Sequence, residues 1–264
     1  MPDDAVPFDD LRFPSLRHKV SPSEWEARVN LAAAYRLCEM FGMSDLIYTH
    51  ITVRLPDEPD RFLINPNGLL FDEITASSLL KVALDGTIVY QGHPDYGLHP
   101  AGYVIHSGLY KARPDAGAVM HTHTTAGIAV ASLECGLTAM SQTAHRFYGR
   151  VAYHDFNGPE RDPKGRERLA RDIGDRNVAI LRNHGLLTLG PTIGEAFNYM
   201  YGMERACQAQ IAAMACNSKI NQMPQAVIDK SCAMYAPGAS RRYGPLEWRG
   251  LLRRLDRLDR SYRD

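Results

Sequence analysis

Apolar residues in this chain recur with two periods, and the change from one to the other marks out its elements. From Ser21 the stretch "SPSEWEARVNLAAAYRLCEMFGM" places Trp25, Val29, Ala32, Ala33 and Leu37 or Cys38 at helical spacing. Ser21 is suited to cap that helix, Pro22 to begin it and Glu24 to complete a capping box, with Gly42 as its stop. Shorter β-rich segments follow: "IYTHITVRL", "RFLINP" and "LLKVALDGTIVYQG", the last with Asp85-Gly86 between two apolar runs as a hairpin signal. Helical spacing returns at Val104, Ile105, Leu109 and Tyr110 and stops before Pro114. "AGAVMHTH" predicts a strand, "TTAGIAVASLECG" a helix closed by Gly136, and "RVAYHDF" another strand. "DPKGRERLARDIGDR" predicts a polar-faced helix. "NVAILRNHGLLTLG" predicts two strands about a tight "RNHG" turn. A long amphipathic helix then carries apolar residues at 193, 196, 197, 200, 203, 207, 211 and 214.

This alternation predicts one α/β domain over residues 21–220, built on a mixed or antiparallel sheet. Residues 1–20, with Pro2, Pro7 and Pro14 and no sustained period, read as an N-terminal arm. Residues 221–264 read as a C-terminal extension, partly helical and appended to the domain.

Composition narrows the function classes. Lys+Arg and Asp+Glu both number 30, so the basic footprint of a nucleic-acid binder is missing. No apolar run approaches the roughly 18 residues that span a bilayer, and "MPDDAVPFDD" has the reverse of a signal peptide's charge pattern. The five cysteines are widely spaced, odd in number and without a CxxC, which suits a reduced, cytoplasmic compartment.

Histidine supplies the candidate chemistry. On a strand, residues i and i+2 share a face, so His121 and His123 in "VMHTH" present two imidazoles side by side. That spacing alone also fits two polar residues at a strand end. His184, in the "RNHG" turn before Gly185, is either an exposed turn histidine or a third donor completing an open divalent-metal site. His106 lies on the helix before the HTH strand, where it is a core histidine or a fourth group facing the site. The Asn67-Gly68 turn in "NPNGLLF" has N–H groups suited to an anion. GxGxxG, Walker A and GxSxG motifs are absent.

The segments "SDLIYTHITVRLPDEPDRFLINPNGLLFDEITASSLLKV", "HPAGYVIHSGLYKARPDAGAVMHTHTTAGIAVASLECGL", "VAYHDF" and "ILRNHGLLTLG" together resemble the class II aldolase/adducin family, in the family's order, over about Ser44 to Met214. The resemblance implies a three-layer αβα fold with a central, mostly antiparallel sheet. It also implies zinc, or another divalent metal, on the positions matching His121, His123 and His184. In the family's sugar-phosphate aldolases that metal polarises substrate oxygens, the sites lie between subunits, and tetramers are common.

The departures from the family pattern bear on activity. The aldolases' acid/base glutamate, four residues before the helix histidine, falls at Gly102, and glycine moves no proton. Their leaving-group tyrosine falls near Gln142, and their phosphate-binding serines at Pro100 and Ala101. Their first phosphate loop falls at Thr49 and His50 without its glycine. In these respects the wording is closer to the adducin head, a cytoskeletal domain without known aldolase activity. The expectation is therefore a metal-binding lyase, of aldolase or decarboxylase type, acting on a small carbonyl or carboxylate compound. Proton transfer then falls to His106, His145 or Tyr103. The alternative is a non-catalytic binding or assembly module.

Overall fold

The computed structural model describes residues 11–158, 163–236, 238–239 and 242–264. Eight strands form one sheet in the order β4-β3-β2-β1-β5-β8-β7-β6. They are β1 (His50–Arg54), β2 (Arg61–Ile64), β3 (Leu80–Ala83), β4 (Ile88–Tyr90), β5 (Ala118–Thr122), β6 (Val151–His154), β7 (Val178–Leu181) and β8 (Gly185–Gly190). All neighbours are antiparallel except β6 and β7, which pair in parallel.

Two hydrophobic clusters divide the molecule between the two faces of the sheet. On one face, Ile51, Val53, Ala118, Met120 and Ile180 pack with α1 (Pro22–Met40), α3 (Thr125–Ala131), α6 (Ile193–Ala215) and α8 (Pro245–Leu258). On the other, Phe62, Ile64, Val119, Ala179 and Leu187 pack with α2 (Pro100–Ala112) and α5 (Pro163–Ile173). The alternation of Ala118 and Met120 against Val119 between the clusters is the period-2 pattern of a strand buried on both sides. The predicted three-layer αβα architecture is the one observed.

Local features explain where prediction and structure differ. Ser21 Oγ caps α1 by accepting from the Glu24 N–H. Glu24 does not close a capping box; its carboxylate accepts from Arg28 Nε at 2.8 Å and Lys81 Nζ at 2.8 Å instead. Those two cations are buried against the sheet, and a carboxylate between them offsets their desolvation. α3 stops at Ser132, short of Gly136, and a one-turn helix α4 (Gln142–His145) escaped the periodicity because four residues show none.

Of the proline-rich arm, residues 1–10 lie outside the described residues, and 11–20 form an irregular segment ending in a turn. The C-terminal segment is no appendage. Besides α7 (Gln225–Ala233), it contributes Trp248, Leu255 and fully buried Tyr262 to the larger core. The Tyr262 and Asp264 carbonyls accept from the Ala76 and Ser77 N–H groups. No helix among the described residues is long and apolar enough to cross a membrane.

Candidate metal centre

The site is assembled by strand register. β5 lies between β1 and β8, with His121 opposite His50 on one side and Leu187 on the other. His123 follows one residue beyond the end of β5 and keeps the same face as His121. His184 arrives from the β7–β8 turn, where Asn183 takes the left-handed backbone (φ 55°) that reverses the chain. Gly185 is required for a different reason: a Cβ there would lie 2.4 Å from the Thr122 carbonyl oxygen. Only glycine lets β8 close on β5 at this point.

The three imidazoles turn their Nε2 atoms toward one another, His121 to His123 at 2.9 Å and His123 to His184 at 3.0 Å. All three donors lie within 4.8 Å of one another. The opposite ring nitrogens fix the tautomers. His121 Nδ1–H donates to the Leu186 carbonyl at 2.9 Å, and His123 Nδ1–H to the Asp45 carboxylate at 2.9 Å. Each Nε2 of that pair is therefore a lone pair, and lone pairs this close repel unless a cation lies among them. Three converging imidazole nitrogens, two of them backed by the Leu186 carbonyl and the Asp45 carboxylate, form a donor set that fits a divalent transition metal. Burial and the neighbouring imidazoles keep His121 neutral well below the usual histidine range. The same causes bring His184 down to about 4.

A second imidazole cluster adjoins the first. His50 Nδ1 and His106 Nε2 are 2.8 Å apart. His106 Nδ1 lies 2.5 Å from Thr52 Oγ1, which is 2.8 Å from the Tyr110 hydroxyl. His50 and His121 stand with ring centroids 5.4 Å apart. Burial lowers His106 to about 3 and His50 well below its ordinary value. The space beside Gly102 is filled by His50: a Cβ on residue 102 would lie 2.8 Å from His50 Cδ2.

Other candidates stand elsewhere. Tyr103 donates to the Leu84 carbonyl and packs on the β3–β4 turn at Gly86. His145, on α4, donates through Nε2 to the Ala139 carbonyl, and that helix packs against α6 and α7. In the turn at Asn67 and Gly68, the Asn67 N–H donates to Gly97, and the Tyr96 ring lies 3.0 Å from a Cβ position on Gly68. Sequence reasoning had no argument for Asp45, and it treated His50 only as a position in a loop lacking its glycine.

Residues 29–211 match the family described as Class II Aldolase and Adducin N-terminal domain. The chain belongs to that family. Rat alpha-adducin is 44% identical over 212 residues, which are 80% of this chain and 29% of that protein. An aldolase II superfamily protein from Pseudomonas syringae superposes with TM-score 0.87 at 48% identity, covering 95% of this chain and 100% of that one. An L-fuculose 1-phosphate aldolase from Glaciozyma antarctica superposes with TM-score 0.81 at 28% identity, with 97% of each chain covered.

Two expectations follow. Gly102→Ala strains the contact with His50, a cost of about 1–3 kcal/mol partly offset by helix propensity. Because that strain needs the ring, thermal unfolding of Gly102→Ala, His50→Ala and the double variant yields a coupling energy of at least about 1 kcal/mol; strictly additive effects contradict the contact. The second concerns pH. His184 binds its proton only near pH 4 when folded but near 6.5 when unfolded, and His106 follows the same sign. The unfolded chain therefore takes up more protons through this window, so metal-free protein loses stability as pH falls from 6.5 to 4. Denaturation midpoints flat across that window would contradict buried neutral imidazoles.

Proposed function

We propose that this protein is a divalent-metal lyase, with zinc as the metal, acting on a small carbonyl- or carboxylate-bearing compound. The convergence of three imidazole Nε2 atoms carries the proposal. His121, His123 and His184 would hold the ion, which when bound supplies Lewis-acid polarisation of a substrate oxygen. Asp45 and the Leu186 carbonyl hold the ligand rings in the tautomer that offers Nε2. The buried position of His121 keeps its ring neutral and aligned. The L-fuculose 1-phosphate aldolase neighbour supports carbon–carbon lyase chemistry as the class.

Gly102 argues against a standard sugar-phosphate aldolase, since no carboxylate stands where the family's enzymes carry one. Decarboxylation of a chelating acid makes a smaller demand on a proton-abstracting base. Family membership and free cysteines support a cytoplasmic homo-oligomer, with the tetramer common among the family's enzymes as its form.

A second interpretation, a non-catalytic adducin-head-like module, is favoured by the 44% identity to rat alpha-adducin together with Gly102. Metal analysis and a substrate screen separate the two. Wild-type protein is expected to carry one zinc per chain and His123→Ala to carry essentially none. Hydroxy-acid and oxo-acid substrates should show turnover abolished by chelators. Metal-free wild-type protein sinks the enzyme proposal. Efficient cleavage of aldose phosphates sinks the role given to Gly102.

A further inference from the structure

His50 stands where a side chain at position 102 would otherwise reach, and its hydrogen-bond network determines what it can offer there. The chain runs from Tyr110 through Thr52 and His106 to His50, and these four residues are at most 3% exposed. Each bond along it needs one hydrogen. The Tyr110 hydroxyl lies 2.8 Å from Thr52 Oγ1, with the backbone N–H groups of Arg54 and Val119 also directed at its oxygen. A phenol donates its proton readily, and burial holds Tyr110 in the phenol form by raising its pKa. Thr52, having accepted, has one proton left, and His106 Nδ1 is the acceptor within reach. His106 is then protonated at Nε2 and donates to His50 Nδ1. Neutral His50 must carry its own proton on Nε2. The opposite arrangement, with His106 Nδ1–H aimed at Thr52, leaves one of the two hydroxyl protons, that of Thr52 or that of Tyr110, with no acceptor in a buried site, a cost that disfavours it.

His50 Nε2 has no hydrogen-bond partner among the described residues. It lies 3.3 Å from the Cβ position of Gly102 and on the ring that flanks His121. An Nε2–H cannot ligate a metal, which agrees with the three-histidine set that excludes His50. A glutamate at 102 would present a negative acceptor; His50 presents a neutral donor in the same space.

We propose that His50 is an oxyanion-recognition residue, its Nε2–H donating to a carboxylate oxygen of a small chelating acid held at the three-histidine centre. This rests on the metal proposal above and deepens it: replacing a carboxylate with a donor removes repulsion toward an anionic ligand and adds a charge-assisted hydrogen bond. Tyr110, Thr52 and His106 are positioning residues that set the direction of the donor.

Two measurements test it. Imidazole ¹⁵N–¹H correlation spectra of metal-free wild-type protein should show His50 protonated at Nε2 and bare at Nδ1; the reverse tautomer overturns the proposal whatever the metal content. Calorimetric titration of zinc-loaded protein with oxalate should show His50→Ala binding about ten- to a hundredfold more weakly, with zinc still at one per chain. His50→Gln, which keeps an N–H donor and fills more of the site, should recover part of the loss. Unchanged oxalate affinity in folded His50→Ala, or loss of its zinc, overturns the assignment. Wild-type protein that takes up no zinc refutes the metal proposal instead, and the tautomer measurement still decides the direction of the chain.

Discussion

β5 is paired on both sides, and its register sets what each face of the sheet presents. With His121 opposite His50 on β1 and Leu187 on β8, the imidazoles project to the α2–α5 side while Ala118 and Met120 enter the larger core. A slip of one residue would turn His121 into the apolar layer and expose Met120 in its place. The register is held by apolar residues on both faces, so the same burial that stabilises the fold also aims the histidines. The close approach at Gly185 extends this constraint to His184, because the turn carrying it can reach β5 only where no Cβ intervenes.

The electrostatic consequence is a site whose neutral nitrogens are more crowded than they would be in water. Burial prevents His121 and His184 from relieving that crowding by taking up protons near neutrality, and Leu186 and Asp45 occupy the Nδ1 positions of His121 and His123 that would allow a tautomer change. A divalent cation is the species that removes the repulsion without breaking those bonds. The adjoining His50–His106–Thr52–Tyr110 chain follows the opposite logic. Its members bond one another in sequence, where the three ligand histidines instead turn their Nε2 atoms toward a common point.

Much of this was legible in the sequence because it depends on local rules. The i, i+2 spacing of His121 and His123, the Gly after His184 and the helix pattern through His106 each follow from one element's own geometry. Partnerships between elements were not legible. Asp45 lies in the loop after α1, 78 residues from the ring it orients, and nothing in its neighbours distinguishes it from any exposed aspartate. His50 and Gly102 make sense only together, since the glycine provides the space and the histidine fills it. At the Asn67-Gly68 turn the local conformation was legible in the same way, but the segment at Tyr96 and Gly97 that packs on it was not. The C-terminal residues looked detachable because their charged helix hides the few positions, Trp248, Leu255 and Tyr262, that enter the core.

The metal-centre proposal holds that three imidazole nitrogens, and no other side chains of this chain, bind a divalent ion at the end of the interior strands β5 and β8. X-ray absorption at the zinc edge of the loaded wild-type protein measures that coordination directly. The account predicts three histidine nitrogens at about 2.0–2.1 Å with the remaining position taken by oxygen. A sulfur scatterer near 2.3 Å, or a fourth imidazole shell, would contradict it.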